Sequence, residues 1–222
     1  MAALLDSQVG TAVTTANENG GALREALRRP LILASASPRR AELLRQVGWE
    51  FEVVVSDVEE NEAATDQDAA SLVASHARSK ALDVSGRNPA RLTLGADTIV
   101  VVGERVLGKP TTADEAREML RALSGREHQV MTAVALTVGD RLIAEDVVMT
   151  DVTFRELSER EIEDYVATGE PMDKAGAYGI QGRGALIVRQ VRGCYFNVVG
   201  LPLARVEEMI TAGIGAGEPL PL

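Results

Sequence analysis

Apolar positions along the chain cluster into short runs separated by polar turns, and the runs alternate between two periods. Leu31-Ile32-Leu33-Ala34 is a continuous apolar stretch that predicts a buried strand. Ser37-Pro38 follows as a helix start, serine at the cap and proline at the first helical position, opening a helix RRAELLRQV that stops at Gly48. FEVVV at 51–55 predicts a second strand, and a polar loop follows it. Thr65-x-x-Asp68 introduces a helix over about 67–84. LTLGADTIVVV at 92–102 is strongly β-like and turns at Gly103-Glu104 into RVL. Thr112-x-x-Glu115 caps the helix ADEAREMLRAL, which ends at Ser124-Gly125.

The second half continues the alternation. QVMTAVALTV and RLIAEDVVMTDVTF predict a hairpin across Gly139-Asp140. Ser158-x-x-Glu161 caps a further helix, stopped by Gly169, and a glycine-rich loop covers 170–184. ALIVRQV and YFNVV are expected as strands paired across Arg192-Gly193, and Pro202 precedes a last helix near 203–212. Interleaved helices and strands with tight hairpins predict an α/β fold with a mixed, twisted sheet flanked by helices, in two lobes with a cleft between. Residues 1–30 are polar and small-residue-rich and are expected to be a poorly ordered extension; the domain proper runs over 31–212, and 213–222 is a tail.

Composition narrows the function classes. The 222 residues are 45% apolar and 25% charged, ordinary for a globular protein. No charge-free apolar run reaches the length of a membrane span, and no basic segment followed by an apolar stretch opens the chain, so a cytoplasmic protein is expected. Cys194 is the single cysteine, which excludes an internal disulfide and a cysteine-rich zinc site. A formal net charge of −10 argues against binding to nucleic-acid polymers or anionic membranes. A phosphorylated small molecule can still bind if cations are gathered locally.

Four places answer that demand. Ser35-Ala36-Ser37-Pro38-Arg39-Arg40 follows a strand and opens a helix, where unpaired N–H groups, hydroxyls and guanidinium groups suit phosphate; the plain alternative is an N-cap followed by solvated arginines. Asp97 lies within an apolar strand, so its charge needs a metal, a base's role or a structural ion pair to offset burial. Gly103 to Lys109 reads G-x-x-x-x-G-K, but Pro110 stands where a phosphate-binding loop needs a hydroxyl and an N–H, which excludes that motif and leaves Lys109 as a cation on a loop. Gln181, in the glycine-rich loop, has the paired donor and acceptor that base-edge recognition requires. His76 and His128 have neither metal-ligand nor triad spacing and are read as structural, while Glu59-Glu60 is either solvated charge or a second carboxylate near Asp97.

Taken in order, these segments resemble the Maf family of nucleotide pyrophosphatases. The resemblance rests on LASASPRR at 33–40, VEE at 58–60, ARSK at 77–80, GADTIV at 95–100, GKP at 108–110, SGREHQV at 124–130, GEPMDKAGAYGIQG at 169–182 and NVVGLPL at 197–203. It covers about residues 31–211 and leaves 1–30 without a counterpart. It implies a Maf/HAM1-like, ITPase-like fold and hydrolysis of a nucleoside triphosphate to the monophosphate and pyrophosphate with a divalent cation, Mg²⁺ or Mn²⁺. By the matched motifs Asp97 is the catalytic carboxylate and Glu60 the second carboxylate on the metal. Ser35, Arg39, Arg40, Lys80 and Lys109 would hold phosphates, the two lysines acting in catalysis. The late loop is similar to that of the dTTP and UTP branch, in which the positions of Arg39, Thr98 and Gln181 are tied to base choice. A homodimer is compatible with the resemblance. Two other readings stay open: a pyrophosphatase for modified nucleotides, and a nucleotide-binding regulator of cell division at septum formation.

Overall fold

The computed structural model describes residue 21, residues 23–58 and residues 68–214. Its strands are β1 (Leu31–Ala34), β2 (Phe51–Val53), β3 (Leu92–Val102), β4 (Arg105–Leu107), β5 (Glu127–Val138), β6 (Arg141–Phe154) and β7 (Val188–Arg192). Its helices are α1 (Pro38–Gln46), α2 (Ala69–Arg87), α3 (Ala113–Leu123), α4 (Glu159–Val166), α5 (Tyr195–Val199) and α6 (Leu203–Ile214). The strands form one sheet in the order β2-β1-β3-β5-β6-β7, with β4 paired to β3. β1 runs parallel to β2 and β3, and the remaining pairs are antiparallel. The mixed α/β sheet predicted from the hairpins is therefore the observed one.

The register of β3 creates the fold's functional opening. On one edge β3 pairs with β5 from Leu92 to Val101. On the other, β1 covers Thr93–Gly95 and β4 covers Val100–Val102. Between Gly95 and Val100 that edge has no strand beside it among the described residues, and Asp97 and Thr98 lie in the gap.

The two faces of the sheet are covered differently. Helix α2 lies against one face, where Val73, Ala77 and Ala81 pack on Ile99, Met131, Ala133 and Ala135. Gly95 is required for this contact, because a Cβ there would stand 2.3 Å from the Ala77 carbonyl oxygen and 2.8 Å from the Ala81 Cβ. The opposite face carries two apolar clusters. One joins Leu94 and Ala96 to α1 and α6; the other joins Val100 and Val102 to α3 and α4. The two lobes expected from the sequence thus share a single sheet, and the cleft opens where one cluster gives way to the other.

Several boundaries differ from expectation for identifiable reasons. YFNVV is not a strand but α5. Its Asn197 is fully buried, its side-chain amide donating to the Val130 carbonyl at 3.0 Å and to the Thr150 hydroxyl at 2.9 Å, while its backbone carbonyl accepts from the Thr132 hydroxyl at 2.9 Å. These bonds need the chain folded back over β5 and β6, and a short apolar run does not distinguish that from a strand. Within the expected loop at 170–184, three 3₁₀ turns form at Glu170–Asp173, Ala175–Ala177 and Gly182–Leu186, and β7 begins only at Val188. Helix α2 is capped by Asp68 itself, which accepts from the Ser71 amide at 2.9 Å, and it runs on to Arg87; Thr65 lies outside the described residues. Part of the segment expected as an extension is described, and its Leu23 and Ala26 are buried in the same cluster as Met209 and Ile210 of α6. Residues 1–20 and 215–222 lie outside the described residues.

Candidate active site

The sheet gap is roofed by the chain leaving β1. Parallel β1 ends at Ala34 and feeds α1, so the N-terminus of α1 points over the C-terminal end of the strand, the usual ligand position in α/β sheets. Ser37 occupies the cap position but makes no side-chain cap bond. Its amide donates instead to the hydroxyl of Ser35 at 3.2 Å, so Ser35 does the local bonding. Arg40 is buried, and its guanidinium donates to the Gly200 carbonyl (2.8 Å), the Ser35 hydroxyl (2.8 Å), the Ala96 carbonyl (2.9 Å) and the Thr98 hydroxyl (3.0 Å). The bond to Ala96 satisfies a β3 carbonyl at the open edge. One side chain thereby ties α1, β3 and the end of α5 together, which the rigid fork of arginine suits. The solvated arginine of the plain sequence alternative does not describe Arg40.

Asp97 sits at the floor and is 7% exposed. Both of its oxygens are engaged from α2: Lys80 donates to Oδ1 at 2.8 Å, and His76 Nδ1 lies 3.1 Å from Oδ2. Burial pushes the carboxyl toward the neutral form, but the His76 hydrogen bond, the charges of Lys80 and Arg40 and the Lys80 hydrogen bond outweigh it and hold the pKa at about 2. His76 and Lys80 are four residues apart on one helical face, which brings both to the same carboxylate. Reading His76 as structural missed this contact. The signal available in the sequence was that i, i+4 spacing in a helix expected to flank the strand of Asp97.

The far wall is the glycine-rich segment. Arg39 reaches across from α1 to Asp173 with an ion pair of 2.7 Å. Lys109 is exposed just past β4, and the neighbouring Gly108 carbonyl accepts from the Gly176 amide at 3.0 Å, joining the β4 exit to this wall. Thr98 stands 2.9 Å from the Thr132 hydroxyl on β5. Behind the wall, His128, Phe154 and Tyr178 pack edge to face, with His128 Nε2 2.8 Å from the Tyr178 hydroxyl. Burial lowers the His128 imidazole to about 4, against a backbone hydrogen bond at Arg126 that raises it.

Ser35, Arg39, Arg40, Lys80, Asp97, Thr98, Lys109 and Gln181 all line one cleft of about 530 Å³, a size that suits a small molecule. Glu60 lies outside the described residues; Val58, two positions earlier, lines the same cleft. Three charged lining residues were not singled out from the sequence: Glu170, Asp173 and Lys174. The cleft therefore gathers cations from α1, α2, the β4 exit and the far wall inside a chain of net charge −10.

Comparison with known proteins agrees with the motif pattern. The chain is 56% identical to a dTTP/UTP pyrophosphatase of Symbiobacterium thermophilum, over 82% of this chain and 92% of that protein. It is 48% identical to a dTTP/UTP pyrophosphatase of Desulforamulus reducens, over 82% of this chain and 95% of that protein. Among solved structures it is similar to the Staphylococcus aureus Ham1 protein, with 15% identity and a TM-score of 0.39 over 72% of this chain and 80% of that one. A family model described as Maf-like protein matches residues 30–213, and the chain belongs to the Maf family.

Proposed function

We propose that this protein hydrolyses dTTP and UTP to the nucleoside monophosphate and pyrophosphate, by attack of water at the α-phosphorus. The observation that carries the reading is the cleft itself: one buried, ionised carboxylate on an open strand edge, in a cleft to which four elements bring cations. The relatives at 48% and 56% identity bear the same substrate names.

Each residue has work that follows from its place. The N-terminus of α1, with Ser35 and Ser37, offers N–H and hydroxyl donors to phosphate oxygens. Lys80 from α2 and Lys109 from the β4 exit both bring charge to the cleft, where it can offset that of a polyphosphate chain. Arg40 positions the Ser35 and Thr98 hydroxyls and adds its field from beneath. Arg39, Thr98 and Gln181 are assigned to the base end; the Gln181 amide can donate to a carbonyl and accept from the ring N3–H, the pattern that thymine and uracil share and cytosine reverses.

Asp97 and Glu60 are the carboxylates assigned to a divalent cation. Among the described residues no cluster of three His, Cys, Asp or Glu side chains is placed to hold a metal. That donor set fits Mg²⁺ or Mn²⁺ all the same, because Mg²⁺ is commonly held by one or two carboxylates together with substrate phosphate oxygens and water. When bound, such a cation supplies charge neutralisation and polarisation of the phosphoryl group. A carboxylate at about 2 is a weak base, so at neutral pH Asp97 offers chiefly a permanent negative charge, suited to holding a cation and orienting water.

The test is product analysis with the full chain, Mg²⁺ and a panel of common nucleoside triphosphates. The expected result is dTMP or UMP with pyrophosphate, and hydrolysis of dTTP and UTP far ahead of CTP, dCTP, ATP and GTP. Release of orthophosphate and a diphosphate as first products, or equal rates on all bases, overturns the reading.

A further inference from the structure

Glu170 lines the cleft, yet its carboxylate is spent on the chain around Gln181. Oε1 accepts from the Tyr165 hydroxyl at 2.8 Å and from the Gly184 amide at 3.0 Å, and Oε2 accepts from the Arg183 amide at 3.0 Å. The Tyr165 hydroxyl in turn accepts from the Gly179 amide at 3.2 Å. Gln181 is thus the apex of a turn whose incoming limb is held by Tyr165 and whose outgoing limb is held by Glu170. The limbs touch backbone to backbone: a Cβ at Gly184 would lie 1.9 Å from the Gly179 carbonyl oxygen, and one at Gly182 would lie 2.8 Å from Glu170 Oε2. Glycine at both positions is what lets the clasp close. Burial pushes the Glu170 carboxyl up, but the Arg183 amide, Tyr165 and the Gly184 amide, with the Lys174 charge, hold it below its ordinary range.

With three protein donors on two oxygens, Glu170 has little left to offer a metal or a proton. We propose that Glu170 and Tyr165 are positioning residues for base selection, clasping Gly179–Gly184 so that the Gln181 amide meets the base in one orientation. The inference rests on Gln181 reading the base. The clasp fixes the backbone from which the Gln181 side chain projects, so its amide donor and acceptor are set at one height against the O4 and N3–H edge that uracil presents and cytosine reverses. Selectivity at such a site depends on how firmly its support fixes it.

The experiment measures kcat/KM for UTP and CTP with the full chain, as wild type, Glu170→Gln, Tyr165→Phe and the double variant. Glu170→Gln keeps the shape but turns an NH₂ toward an amide N–H. Tyr165→Phe removes the hydroxyl that serves both limbs, and it carries the test should the first variant fail to fold. The expected result is a UTP-to-CTP ratio lowered about tenfold or more in each single variant, chiefly through loss on UTP. The double variant should be little worse than the worse single one, because both act through the same clasp. Equal loss on both nucleotides, with the ratio kept, overturns the inference while leaving base reading by Gln181 intact. A wild-type protein that does not prefer UTP to CTP overturns the base-reading assignment itself.

Discussion

A carboxylate as buried as Asp97 stays ionised only because two donors from α2 and the Arg40 charge surround it. Removing its charge leaves Lys80 facing a neutral amide in a largely enclosed place. Asp97→Asn is therefore expected to lower turnover about 100-fold or more and to cost on the order of 3 kcal/mol in stability, read from steady-state kinetics and urea unfolding of the same preparation. His128 makes a separate pH prediction. Above its ordinary value of 6.5 the imidazole is neutral both folded and unfolded; between 6.5 and about 4 the unfolded chain takes up a proton that the buried ring refuses. Stability should fall with pH through that window, and His128→Phe should flatten that part of the urea-midpoint profile. Single-residue chemistry was partly legible: Asp97 stood out as a charge within an apolar run, whereas the partnership of His76 depends on how a helix lies across a strand.

At the scale of elements, local signals and packed geometry part company. Some capping and hairpin signals written in neighbouring residues stand where the sequence placed them: Thr112 accepts from the Glu115 amide on α3, Ser158 and Glu161 close a reciprocal cap on α4, and β3 with β4 and β5 with β6 pair as hairpins, whereas the hairpin expected across Arg192-Gly193 does not form. Ser158→Ala should cost about 1 kcal/mol and leave kinetics unchanged, since that cap lies away from the cleft. Gly95→Ala should do more. The added methyl meets the Ala77 carbonyl, so α2 must move and take Lys80 and His76 with it. A loss of about 1–3 kcal/mol with a fall in kcat is expected, from thermal melts and kinetics together; unchanged kcat in a destabilised protein would show that α2 shifts without disturbing Asp97. YFNVV was misread because its conformation is decided by what Asn197 meets on β5 and β6, not by its own pattern.

For the whole molecule, the core extends beyond the segment that resembles the family. Leu23 and Ala26 pack against α6, so deleting residues 1–28 should cost about 3 kcal/mol relative to deleting residues 1–20, which leaves both in place. Equal melting temperatures for the two truncations would show that this contact contributes nothing. The sheet was legible as mixed because parallel and antiparallel connections leave different loop lengths. Its unpaired stretch was not, because register between β1, β3 and β4 appears only when the strands are laid side by side. That stretch makes the aperture of the site a matter of counting. Each further ladder pair at the end of β1 or at the return of β4 would close about 3.3 Å of it. Pro38 and Pro110 stand shortly after those two strands, and neither has an N–H with which to prolong a ladder. Where those two short strands stop, rather than the bulk of any side chain, fixes the length of strand edge left open beside Asp97 and Thr98.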